Sequence, residues 1–130
     1  MTAIKRIAFV VDDENIIAST LELILMSYGF DARSFVDPLD ALSAARTISP
    51  ELLLTDVMMP NMNGIELAVQ LRRNCPHCKV LLSSGQPATS ELLADAERAG
   101  HLFEILPKPV HPEILIERIE ELFRSSTAGV

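Results

Sequence analysis

The stretch "FVVDDEN", Phe9 to Asn15, runs three apolar residues straight into three carboxylates. A short apolar run bounded by polar residues reads as a buried strand, so like charges crowd where this strand leaves the core. Asp56 repeats the arrangement at the end of a second run, "LLLTD" (52–56). Five such runs recur along the chain: "IAFVV" (7–11), "ARSFV" (32–36), "LLLTD", "KVLLSS" (79–84) and "FEIL" (103–106).

Segments with helical spacing lie between them. After the first run, Ile17, Leu21, Ile24, Leu25 and Tyr28 share one face, and Gly29 is placed to stop the helix in a left-handed conformation. After the second, Asp37 can cap, Pro38 fits the first helical position and Asp40 favours the positive helix start. A third helix starts near Gly64 and carries Leu67, Ala68 and Leu71, a fourth runs from about Ser90 to Gly100, and a fifth opens with Pro112 and presents Leu115, Ile119 and Leu122. Strand alternating with helix predicts an α/β fold. Parallel strands need crossover connections, so the sheet is doubly wound, with helices on both faces.

At 130 residues the chain has the length of one domain. Residues 1–124 form it, and "SSTAGV" (125–130) reads as a frayed tail. No linker or repeat interrupts the pattern, and no second domain is expected within it. The net charge of −7 argues against a nucleic-acid surface on this domain, because phosphate binding needs clustered Lys and Arg. The basic pair near the N-terminus precedes only five apolar residues and then acids, which is neither a signal peptide nor a membrane span. The reading is therefore cytoplasmic, with reduced thiols and no membrane contact.

In doubly wound sheets the ligand crevice lies at the carboxyl ends of the strands, where the strand order reverses. Asp12 and Asp13 end the first strand and Asp56 ends the third. If those strands are neighbours, each pair of charges about 5 Å apart repels by roughly 3 kcal/mol at an effective dielectric of about 20. A cation or protons must offset this. Mg²⁺ suits two carboxylates, several waters and an incoming phosphoryl group. Lys108 after the fifth strand and Ser84 at the end of the fourth reach the same rim, which makes a phosphoryl-handling set.

"VVDDE", "LLLTDVMMPNMNG", "LLSSG" and "LPKP", in this order and spacing, resemble the receiver domain of two-component response regulators over nearly the whole chain. The resemblance implies a flavodoxin-like five-stranded parallel sheet of order 2-1-3-4-5 with five helices. It implies that Asp56 is the phosphoacceptor, taking a phosphoryl group from a histidine kinase or phosphotransfer protein. Asp13, Asp56 and the backbone carbonyl of Met58 would hold Mg²⁺, with Asp12 acting through water. Lys108 would hold a phosphoryl oxygen, Ser84 would turn inward to bond the phosphoryl group, and the Gly85 N–H would join it. A cis bond at Lys108–Pro109 is implied as well. Such a domain is not an enzyme beyond its own phosphorylation and dephosphorylation. Its phosphorylation switches protein–protein interactions with an unknown downstream protein, and homodimerisation is left open.

One position departs from the family pattern: Ile105 stands where the family usually has a switching Tyr or Phe, with Phe103 on the same side at a different depth. Met58 and Gln86 would flank the path of an attacking water, and an apolar Met58 predicts slow loss of the phosphoryl group. Two other readings compete. One is a receiver-like interaction module that is never phosphorylated. The other, from a different class, is a thiol redox protein using Cys75 and Cys78 of "CPHC" (75–78), with His77 between them. That motif follows a helix instead of opening one, and zinc would need about four ligands, so a helix-ending turn is favoured. A Mg²⁺-dependent phosphohydrolase lacks its usual Asp-x-Asp after the first strand. His101 and His111 are assigned no role, and Met59 and Met62 read as packing residues.

Overall fold

The structure, a computed structural model, describes residues 5–85 and 89–128. Gln86 lies outside the described residues. Among them, five parallel strands, β1 (Ile7–Val11), β2 (Asp31–Phe35), β3 (Leu52–Asp56), β4 (Lys79–Ser84) and β5 (Glu104–Pro107), form one sheet in the order β2-β1-β3-β4-β5. The helices are α1 (Asn15–Ser27), α2 (Pro38–Ala44), α3 (Gly64–Asn74), α4 (Thr89–Arg98) and α5 (Pro112–Ala128). The sheet is doubly wound, as the alternation of runs predicts.

Side chains alternate across the strands and so divide the core in two. Phe9, Val11, Leu53, Val80 and Leu82 face Ala41, Leu67, Leu71 and Ala96, from α2, α3 and α4. Ala8, Val10, Leu52, Leu54 and Leu81 face Leu21, Leu25, Leu115 and Ile119, from α1 and α5. The central strands are covered on both sides, which is why "LLLTD" is apolar without alternation. Each fully buried Leu contributes roughly 1.5–3 kcal/mol, so the two halves hold the strand ends rigidly in place.

Helix ends follow their local chemistry. Gly29 has φ of 96°, Phe30 N–H donates to the Leu25 carbonyl at 3.1 Å and Gly29 N–H to that of Met26 at 3.1 Å, a Schellman stop. Tyr28, read as part of the buried face of α1, is instead 53% exposed, because it is the C-cap residue and the turn swings it outward. Asp37 caps α2 by accepting from Leu39 N–H at 2.9 Å. Asn63 and Glu66 cap α3 reciprocally: Asn63 Oδ1 accepts from Glu66 N–H at 2.9 Å and its amide donates to Glu66 Oε1 at 2.7 Å. Two strands shift by one residue at both ends: β2 spans Asp31–Phe35 where the sequence predicts 32–36, and β5 spans Glu104–Pro107 where it predicts 103–106. Both are edge strands, where pairing on one side only sets the limits. The helical backbone of α5 runs to Ala128, into the stretch read as a frayed tail, since no helix breaker occurs before Gly129.

Candidate functional site

β1 lies between β2 and β3, so the strand order reverses at β1/β3 and a crevice opens above their carboxyl ends. Val11 pairs with Thr55, which brings Asp12 and Asp56 level on that rim. One carboxylate oxygen each from Asp12, Asp13 and Asp56 lies within 4.8 Å of the others. Asp12 is 1% exposed and Asp56 9%, whereas Asp13 faces solvent. Lys108 enters from the far side of β4: its Nζ is 3.1 Å from Asp12 Oδ2 and 3.4 Å from Asp56 Oδ2. One ammonium, paired with two of them, therefore stands against the charge of three carboxylates. The remaining negative charge and the oxygen-only donor set fit a hard divalent cation such as Mg²⁺.

The backbone fixes both buried acids. Asp12 Oδ1 accepts from Glu14 N–H at 2.9 Å, which shapes the turn into α1, and Asp56 Oδ1 accepts from Val57 N–H at 2.9 Å. Burial pushes the Asp56 carboxyl above its ordinary range; Lys108 opposes this and Asp12 adds to it. Burial alone would lower Lys108, but the hydrogen bond and charge of Asp12, and then Asp56, outweigh it and hold the ammonium above its usual value. Lys108 is thus cationic at neutral pH.

Two contacts at this rim escaped the sequence reading. A Cβ added at Gly64 would lie 2.1 Å from the backbone oxygen of Asp56, and Gly64 N–H donates to the Val57 carbonyl at 2.8 Å. The start of α3 therefore rests directly on the backbone at Asp56, which Thr55 Oγ1 also binds through the Asp56 carbonyl at 2.9 Å. The available signal was a glycine placed straight after the capping Asn63, where a better helix former would be expected. The second contact joins Ser84 Oγ to Thr89 Oγ1 at 2.5 Å, with both residues buried. Nothing in the local pattern marked Thr89.

The other singled-out residues fall around this centre. Lys108 N–H donates to the Ser84 carbonyl at 3.0 Å, joining the ends of β4 and β5, and the Lys108–Pro109 bond is cis. A Cβ at Gly85 would meet Lys108 Cβ at 3.6 Å, an ordinary contact, so space does not require glycine there. Met58 is exposed, while Met59 and Met62 pack against the core. Ile105 and Phe103 pack against the same core half, with the Arg72 guanidinium 5.0 Å from the Phe103 ring and His101 stacked on it at 6.2 Å.

Cys75 and Cys78 are buried free thiols at the turn that ends α3, where Cys75 N–H donates to the Leu71 carbonyl at 2.9 Å. Burial first, then Cys75, pushes the Cys78 thiol up to about 12, against the low value a redox thiol needs. The helix-ending turn is the reading that the geometry supports; burial of both sulfurs and the raised Cys78 thiol argue against the thiol redox reading.

A family model described as the response regulator receiver domain matches residues 8–120. The DNA-binding response regulator MtrA of Mycobacterium tuberculosis is 31% identical over 124 residues, covering 95% of this chain and 53% of that protein. The chain thus spans about half the length of the curated relatives it matches. A two-component transcriptional regulator AraC from Clostridium phytofermentans is 27% identical with a TM-score of 0.81, covering 92% of this chain and 94% of that one. A CheY-like receiver domain protein from Methanospirillum hungatei shares the fold, with a TM-score of 0.83 at 24% identity and coverage of 96% and 99%.

Proposed function

Because this chain belongs to the response regulator receiver domain family of two-component signalling, we propose that Asp56 is its phosphoacceptor and that Asp13, Asp56 and the Met58 backbone carbonyl hold Mg²⁺, with Asp12 acting through water. The observation that carries this reading is the convergence of Asp12, Asp13 and Asp56 on one another, with the ammonium of Lys108 bridging Asp12 and Asp56. When bound, Mg²⁺ supplies charge neutralisation for the phosphoryl oxygens. The chain's own residues do the rest.

An Asp56 oxygen attacks the phosphorus of a phosphohistidine that carries a proton on its other ring nitrogen, the P–N bond breaks, its electron pair stays on nitrogen, and neutral imidazole leaves. A loose transition state asks mainly for alignment and for positive charge at the phosphoryl oxygens. Lys108, held cationic by the two buried acids, places its ammonium on one of those oxygens. The Val57 N–H bond and the packing of Gly64 keep the nucleophile from turning away. Ser84 and the Gly85 N–H then bond the acyl phosphate. Loss of the group follows when water attacks phosphorus and the P–O bond to Asp56 breaks; exposed, apolar Met58 gives that water no hydrogen bond.

The partners are a histidine kinase or phosphotransfer protein and a downstream protein whose binding changes with phosphorylation. MtrA is named as DNA-binding, but the charge of −7 on this chain argues that any DNA contact belongs to another domain. No described helix is long and apolar enough to cross a membrane. Incubation with acetyl phosphate and Mg²⁺ followed by intact mass measurement tests the reading. One phosphoryl group on the wild type and none on Asp56→Asn is expected; an unmodified wild type would leave the interaction-module reading standing.

A further inference from the structure

Ser84 closes β4 and Thr89 opens α4, and their side-chain oxygens lie 2.5 Å apart. Ser84 is 7% exposed and Thr89 3%, so water has little access to either hydroxyl. The Ser84 carbonyl is meanwhile held by Lys108 N–H, which ties this pair to the rim that carries Asp56. A serine hydroxyl has one proton to donate. Either hydroxyl can donate in this pair, and turning Ser84 Oγ toward a phosphoryl group on Asp56 disturbs the bond to Thr89 in both cases. A buried hydroxyl that loses its partner shifts an equilibrium by roughly 5- to 150-fold, so Thr89 must move with Ser84, find another partner, or oppose the change.

We propose that Thr89 is a positioning residue: its hydroxyl restrains Ser84 in the unphosphorylated state and passes the displacement of Ser84 to the first turn of α4. The inference rests on Asp56 being the phosphoacceptor. Thr89 is the first residue of α4, so a shift of its side chain bears directly on where that helix starts. Ile105 and Phe103 offer no competing polar route. Both are packed into the core half formed with α2, α3 and α4, and neither carries a hydrogen-bonding side chain.

The test uses beryllofluoride with Mg²⁺ as the phosphoryl mimic, with affinity from an NMR titration and the α4 response from amide hydrogen exchange. Thr89→Val keeps shape and removes the hydroxyl. It should bind beryllofluoride roughly tenfold more tightly than wild type, because the restraint on Ser84 is gone, and lose the exchange change across residues 89–98 that wild type shows. Thr89→Ser should behave as wild type. Ser84→Ala, which removes the other hydroxyl, should lose the α4 response on its own, so the inference stays testable even if Thr89→Val does not fold. An affinity of Thr89→Val within twofold of wild type or weaker, an α4 response of wild-type size in Thr89→Val or Ser84→Ala, or a Val-like Thr89→Ser each overturns it. A wild type that takes up no beryllofluoride sinks the phosphoacceptor reading itself, and this inference with it.

Discussion

Asp56→Asn should make the metal-free protein more stable at neutral pH. In the folded state Asp56 Oδ2 lies 3.4 Å from Lys108 Nζ, and oxygens of Asp12 and Asp13 lie within 4.8 Å. At an effective dielectric of about 20 the attraction amounts to roughly 5 kcal/mol and each repulsion to roughly 3.5 kcal/mol, with the exposed Asp13 screened further. The two repulsions, even with Asp13 discounted for screening, offset most or all of the attraction, and burial of the charge adds to them. This agrees with a carboxyl pushed above its ordinary range. An acid with a raised folded pKa binds its proton more tightly folded than unfolded, so stability falls as pH rises from the ordinary value through the folded one. The asparagine lacks that slope. In EDTA at pH 7, urea unfolding followed by circular dichroism should show a gain of about 1–2 kcal/mol with an unchanged m value, closing below about pH 4, where the acid is protonated in both states. Saturating Mg²⁺ should reverse the ranking, since an ion at 100 times its Kd stabilises the wild type by about 2.7 kcal/mol and the variant far less. An asparagine variant equal to or less stable than wild type in EDTA at pH 7 would refute the reasoning.

Gly64→Ala forces a Cβ into the space held by the Asp56 backbone oxygen; a loss of about 1–3 kcal/mol in urea unfolding and at least a tenfold slower uptake from acetyl phosphate are expected, and a wild-type rate would show that α3 does not set the nucleophile. Cys75 and Cys78 should both resist labelling by a thiol reagent at pH 8 in the native protein and react fully in denaturant; rapid native labelling of Cys78 would contradict its raised pKa. Met58→Asn should shorten the lifetime of the phosphorylated protein several-fold by giving water a hydrogen-bond partner, read as decay of the phosphorylated mass after desalting. An unchanged lifetime would mean that Met58 does not limit the attack.

Periodicity and composition determined the α/β class, the run of helices between strands, the stops at Gly29 and Gly100, and the acids at the ends of β1 and β3, because each is a property of a few neighbouring residues. The motif resemblance added the strand order and the candidate roles of Asp56, Ser84 and Lys108. Where the chain is held from one side only, as in β2 and β5 at the sheet edges or Tyr28 at a helix end, local pattern placed boundaries or faces imperfectly. Tertiary structure alone decided which charges meet and how far each is buried: Lys108 reaches Asp12 across 96 positions of sequence, and Asp56 is buried while Asp13 is not. It alone set Gly64 against the Asp56 backbone and Thr89 against Ser84. Such contacts depend on the packing of whole strands and helices to within an ångström, and no spacing along the chain encodes a distance that short.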